Sequence, residues 1–290
     1  MFKHVVSKLL LILFLITGSQ FASAVSIKIG FNDTAYDEAT AALFKIVFER
    51  SGYNVNQIKG DPGPLLDMLE QGEIDVYVTA WLPNTHASEF VDFEETLKLI
   101  TPLYDGAQSY FAVPRYIPKK HLAAIDDLTK ADIKEKIDST IITDKRTRAT
   151  SKQTEEALSA YGLNESGYKV EALESAEWLA AIESKLEEKQ WFVIPLTKPH
   201  VLDTTKKFRR LKDTKNVFKV KDTAWLVGNK KTSKKIADHI YQILTKMELS
   251  TQWIAEIERM AQDENWPYYV AARVWMAEHP YTVEYWISGE

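Results

Sequence analysis

The sequence predicts an α/β protein of two lobes joined by crossing strands, and three observations carry that expectation. The 290 residues exceed one ordinary domain and fit two, with the 45% hydrophobic and 27% charged content of a globular protein. The first third of the chain reads strand, helix, strand, helix, strand, the pattern of a parallel sheet with crossover helices. No low-complexity linker separates the halves, so the lobes are expected to share strands rather than a flexible tether.

The N-terminus is a separate segment. Lys3 and Lys8 precede an apolar run from Leu9 to Ile16, and Gly18 and Ser19 lead to the small-residue site Ala22-Ser23-Ala24. That order reads as a secretory signal peptide over residues 1–24, too short in its apolar run to span a membrane. The chain has no cysteine, which excludes disulfides, thiolate metal sites and a lipid-modified N-terminal cysteine. The exported protein is therefore expected to be free in a periplasm. The formal charge of −5 becomes near −7 once Lys3 and Lys8 leave. No clustered basic face points to nucleic acid.

Each element has a local reason. Ile27 to Phe31 alternates apolar residues as a strand does, and Asp37 to Arg50 follows as a helix stopped by Gly52. Asn54 to Ile58 is a strand, Pro62-Gly63-Pro64 opens the helix Leu65 to Glu70, and Gly72 closes it. Ile74 to Thr79 is the third strand, with Trp81 opening the loop beyond it. Ser109 to Val113 starts a second round: a helical stretch from Asp126 to Ile137, a strand Thr140 to Thr143, and a helix Thr150 to Tyr161 with a Thr150–Gln153 capping box. An amphipathic helix Ser175 to Glu188 and strands Phe192 to Leu196 and Ala224 to Val227 come next. The chain then turns helical: Ser233 to Leu249, Thr251 to Ala261, and a helix started by Pro267.

Ligands of parallel α/β sheets sit beyond the carboxyl ends of the strands, which directs attention to Trp81-Leu82-Pro83-Asn84-Thr85-His86 and to Tyr36. Aromatic faces attract desolvated cations, and a quaternary ammonium has no hydrogen to donate, so stacked rings are the natural way to hold one. Trp81 and Tyr36 would offer the faces, and His86 a donor to a carboxylate. Spacing alone is equally consistent with Trp81 packed under a loop and His86 merely exposed. Trp178 lies on an apolar helix face and reads as core, and Tyr104 is a candidate cleft residue. His121, His239 and His279 lack partners at metal-ligand spacing, so neither metal nor cofactor is expected.

The run Ala80 to His86, with Tyr36 and Glu38 before the first helix, Val113-Pro114-x-Tyr116, Asp126-Asp127-Leu128, Pro199-His200 and the tail Ala271-Ala272-x-x-Trp275, resembles the glycine betaine/proline betaine binding proteins of ABC importers. The similarity runs from about Ile27 to Trp286. It implies a type II, Venus-flytrap fold with two crossing hinge strands: residues 25–112 and 222–290 in one lobe and 113–221 in the other. It also implies a small-molecule ligand in the cleft, a membrane permease as partner, and a monomer. Carried over by position, Trp81 matches a cage tryptophan, Tyr36 stands where another usually does, and His86 matches the carboxylate-binding histidine.

Two departures qualify the resemblance. The family's tryptophan before its Pro-His pair is absent from Leu196-Thr197-Lys198-Pro199-His200, which leaves Thr197 and His200 as the site candidates there. The family's glycine-containing anion loop is replaced by Asp144-Lys145-Arg146-Thr147-Arg148-Ala149, with Arg148 and Ala149 in the matching places. A guanidinium of Arg146 or Arg148 would clamp a carboxylate by side chain, which favours an amino-acid-like or acidic ligand; alternatively, both point to solvent and the loop amides bind. No hydrolase elbow, zinc helix or phosphate loop appears, so an enzyme is not expected. A sensing module feeding a membrane receptor is the other class the same fold serves.

Overall fold

The computed structural model describes residues 25–218, 221–231 and 236–288. The signal peptide expectation lies outside them, as does the proposed helix start at Ser233. Strand β1 (Ser26–Asn32) lies between β2 (Asn54–Gly60) and β3 (Val76–Leu82), parallel to both. Helix α1 (Ala35–Arg50) makes the first crossover. Its N-terminus is held by Thr34, whose hydroxyl accepts from the Asp37 amide at 3.2 Å and donates to the Asp37 carboxylate at 2.9 Å, satisfying an otherwise orphaned donor. Helix α2 (Pro62–Gln71) ends as expected at Gly72, whose φ of 77° is the left-handed value a glycine cap supplies. Gly30 in β1 has a different reason: a Cβ there would lie 2.4 Å from Ile74 Cδ1, so any side chain would have to displace the buried Ile74 methyl.

The sheet continues with β9 (Asp222–Asn229), antiparallel to β3, and then β4 (Leu97–Pro114). At 18 residues β4 is far longer than the strand expected from Ser109 to Val113. At the usual rise per residue its contour length is roughly 60 Å. Its first part pairs with β9 from Leu97 to Ala107, with irregular register between Leu99 and Thr101, Pro102 and Tyr104, and Asp105 and Ala107. Such breaks bend and twist a strand. From Gln108 onward β4 pairs instead with β7 (Ile194–Lys198) and β8 (Phe208–Arg210). One strand thus carries the chain from lobe to lobe, and the return leads into β9.

After the short α3 (Ala87–Phe90) of the first lobe, the second lobe adds α4 (Ala131–Lys134), a parallel pair β5 (Thr140–Asp144) and β6 (Lys169–Leu173), α5 (Arg148–Ala160) between them, α6 (Ser175–Glu187), and α7 (Val201–Thr204) after β7. The α5 start corrects the expected capping box. The cap position is Thr147, while Thr150 is the third residue of the helix, within its first turn, where its hydroxyl lies 3.4 Å from Ser109 Oγ. Among the described residues four helices finish the chain: α8 (Asp238–Lys246), α9 (Thr251–Asp263), α10 (Tyr268–Glu278) and α11 (Pro280–Ser288). Their apolar faces pack with α1 and the first-lobe strands around Phe44, Phe48, Trp81, Trp275 and Trp286. The second lobe has its own cores, around Phe111, Leu128 and Phe218 and around Trp178, Ile182 and Phe192. Two lobes with separate cores and a strand running through both are the architecture the sequence predicts, and Trp178 is core as read.

Candidate functional site

Trp81 is the penultimate residue of β3, not the first of the loop, because β9 continues to pair with it through Ala224 and with Leu82 through Thr223. It is only 2% exposed. Tyr36, in the first turn of α1, stacks on it with centroids 5.0 Å apart and planes 24° from parallel. The indole N–H donates to the hydroxyl of Tyr104 at 3.2 Å, so Tyr104 on the crossing strand completes a three-aromatic cluster. A 5.0 Å stack leaves no space for a trimethylammonium between the rings. Tyr36 and Trp81 are therefore one composite wall in this state, rather than the two facing walls that position along the chain suggests.

Below this wall lies a buried carboxyl. Asp37 accepts from Asn32 Nδ2 at 3.0 Å, from Thr34 and from the hydroxyl of Thr79. Burial pushes its pKa up to about 7, against the lowering effect of the hydrogen bonds from Thr79, Asn32 and Thr34. Tyr77 in turn donates to Asn32 Oδ1 at 2.6 Å. This polar network anchors the start of α1, and Tyr36 with it, to β3.

His86 is fixed by the backbone of Trp81. Its Nδ1 accepts from the Trp81 amide at 3.0 Å, and its own amide donates to the Trp81 carbonyl at 2.9 Å. An Nδ1 that accepts leaves the proton of a neutral ring on Nε2. Burial lowers the histidine pKa to about 4, with Glu89 and Asp222 opposing, so the ring is a neutral N–H donor at physiological pH. The loop itself hangs on Asp222, which accepts from the Asn84 amide at 2.7 Å, the Thr85 amide at 3.0 Å and the Thr85 hydroxyl at 2.6 Å. Asp222 is the first residue of the return strand, so the hinge and the Trp81–His86 turn are tied together. Sequence reading missed this, and nothing in local spacing joins residues 137 positions apart.

The arginines occupy different settings. Arg146, in the β5–α5 loop, reaches across to the first lobe: its Nε donates to Asp33 Oδ1 at 2.9 Å and its Nη2 lies 3.1 Å from Glu38 Oε1. Lys59 shares both carboxylates. Arg148 pairs with Asp61 at 2.8 Å, with 78% of its side chain exposed. Both guanidiniums thus face first-lobe carboxylates. Ala149, beside them, lines an interlobe cavity of about 240 Å³ with Asn84, Thr85, Ser88, Glu89 and Gln153.

Thr197 and His200 come from β7 and the turn after it. Thr197 is buried opposite Ser109 in the β4–β7 ladder. His200 caps α7 by accepting from the Leu202 amide through Nδ1 at 3.1 Å, and its ring meets Trp178 edge-on. Its Nε2 lies 3.4 Å from Glu258 on α9. The structure accordingly joins Tyr36, Trp81 and His86 into one group and reaches Arg146 through Glu38. It places Thr197 and His200 on the second-lobe side. Among the described residues no cluster of three metal-ligating side chains occurs, and no helix is long and apolar enough to cross a membrane.

Comparison with solved structures shows the same fold in several solute-binding proteins. A glycine betaine/L-proline-binding protein from Borrelia burgdorferi superposes with a TM-score of 0.78 at 22% identity, covering 90% of this chain and 96% of the other. Lactococcal OpuAC, closed on glycine betaine, gives 0.78 at 22% identity, covering 91% and 100%. A choline binding protein in complex with choline gives 0.75 at 18% identity, covering 90% and 92%. Residues 25–278 match the family described as the substrate binding domain of the ABC-type glycine betaine transport system, nearly all of the chain beyond the N-terminal segment. With its two-lobed fold and its aromatic group at the carboxyl end of β3, the chain belongs to that family of ABC importer substrate-binding proteins.

Proposed function

We propose that this protein captures a small quaternary ammonium zwitterion, glycine betaine or a close relative, between its lobes and delivers it to a membrane permease. The observation that carries the reading is the Tyr36–Trp81–Tyr104 group with the neutral His86 donor beside it. A methylated cation approaches the composite aromatic wall from the cleft side, where cation–π attraction is worth up to about 2 kcal/mol or more once water is excluded. The Nε2–H of His86 donates to the carboxylate. Thr197, Ala149 and His200 offer the second lobe's surface, and closing that lobe removes solvent and strengthens both contacts. The pairing of Arg146 and Arg148 with first-lobe carboxylates favours a role in closure over a clamp on an acidic ligand. The boundaries proposed for the lobes, export by a cleaved signal peptide to the periplasm, and the monomeric state belong to the same reading, and catalysis has no part in it.

Isothermal titration of the mature chain with glycine betaine, choline and an acidic amino acid tests it. Binding of the first two, with Trp81→Ala weakening it about tenfold or more, is the expected result. Exclusive binding of the acidic amino acid would overturn the aromatic reading.

A further inference from the structure

Glu258 has no place in the capture chemistry above, yet it is fully buried at the junction of the lobes. It projects from α9, which packs through Ile254, Ile257 and Ala261 into the first-lobe core. Its carboxyl, however, is engaged by the second lobe: Oε2 accepts the Val201 amide at 2.9 Å, and Oε1 lies 3.4 Å from His200 Nε2. Gln262, on its own helix, donates to Oε1 at 3.2 Å. Since His200 Nδ1 already accepts from Leu202, a neutral His200 presents Nε2–H toward the carboxyl. The charged and titratable groups facing this point are Asp144 and Arg146 from the β5–α5 end, His200 from the β7–α7 turn and Tyr268 from α10. His200 is held neutral by burial, its pKa lowered to about 4. Among the described residues no cation is therefore paired directly with Glu258, and Arg146 acts only at longer range against Asp144.

We infer that Glu258 is a positioning residue for ligand capture, clasping the His200–Val201 turn of the second lobe to the first, and that closing the cleft takes up a proton at this carboxyl. The inference rests on the capture function proposed above. The physical reason is desolvation. An open cleft exposes the carboxyl to water, where it ionises in the ordinary carboxylate range. Closing over it buries a charge without a counter-ion, so the neutral form is preferred. Burial accordingly raises its pKa from 4.5 to about 8, with Asp144 adding to the rise and the Val201 amide, Arg146 and Gln262 opposing it. For a carboxyl raised in the closed state, the advantage of closure is complete below the ordinary carboxylate range. It declines as pH climbs from there toward 8, by up to about tenfold per pH unit.

Two measurements on the mature chain decide it. Because the protein has no cysteine, nitroxide labels at exposed Asp67→Cys and Glu155→Cys report the interlobe distance without ligand. The expected distribution shifts toward the shorter separation at pH 5.5 relative to pH 8.5, and Glu258→Gln, which mimics the protonated carboxyl, removes that shift. Glycine betaine titration in buffers of different ionisation enthalpy at pH 6.5 should show proton uptake by the wild type and none by Glu258→Gln. Glycine betaine affinity should also fall between pH 5.5 and 7.5 in the wild type alone. Distances and affinities with the same pH profile in both proteins overturn the clasp. A pH-dependent distance without any glycine betaine binding leaves the clasp standing and refutes the betaine reading instead.

Discussion

Arg146 separates two accounts of the same side chain, and its removal measures which one holds. As a ligand clamp, it would contact the carboxylate of glycine betaine and contribute nothing to choline. As a bridge between lobes, it stabilises the closed state whatever lies inside. In the structure its Nε–Asp33 contact at 2.9 Å is a charge-assisted hydrogen bond. The Nη2–Glu38 approach at 3.1 Å is off the hydrogen-bond line, since Nη2 is buried without an aligned acceptor, so we credit it with Coulomb attraction only. The side chain is 26% exposed, and Asp33 and Glu38 are 45% and 19% exposed, so solvent screens the pairs in part. With exposed ion pairs worth about 0.2–1 kcal/mol each, losing both with Arg146→Ala should cost closure about 0.4–2 kcal/mol, or roughly two- to thirtyfold in affinity. The loss should appear as faster dissociation, because the bridge forms after the ligand has met the first lobe. Stopped-flow dissociation of glycine betaine and of choline reads this directly. The expected result is an equal acceleration for both ligands, which shrinks at high salt where the wild-type bridge is already screened. A loss confined to glycine betaine would refute the bridge and restore the clamp.

Two further outcomes follow from the same geometry. Tyr104→Phe leaves the buried indole N–H of Trp81 without its acceptor, so unfolding free energy should fall by about 1–3 kcal/mol in urea titrations, and an unchanged midpoint would remove Tyr104 from the aromatic group. His86 and His200 are held neutral by burial, with values near 4 against 6.5 when unfolded. Their contribution to stability is complete above pH 6.5 and is lost as pH falls toward 4. His86→Gln should therefore lose less stability than the wild type between pH 6.5 and 4.5, measured by denaturation midpoint; identical losses would show that the ring is not desolvated.

Much of the architecture was legible because local rules dictate it. Apolar alternation marks β1, Gly72 must end α2, and the helical periodicity around Trp178 buries that ring, all from residues near one another in the chain. The Trp81–His86 run and its family resemblance pointed to the right turn of the right strand. Where reading failed, a distant partner had intervened. β3 outlasts its own apolar run because β9 supplies the pairing for Trp81 and Leu82. Thr150 is no cap because Thr147 already begins the helix and Ser109 lies beside the Thr150 hydroxyl.

By itself, then, the sequence determined the two α/β lobes, the position of the aromatic group and the family to which the chain belongs. Only the tertiary structure decided that Tyr36 and Trp81 form one wall, that Asp222 carries the His86 turn, that Arg146 meets Asp33 and Glu38, and that Glu258 lies buried against the opposite lobe. Local propensity acts over a few residues through backbone sterics and hydrogen bonding. The partner of a buried charge is chosen by whichever surface closes over it, and that surface comes from the other end of the chain.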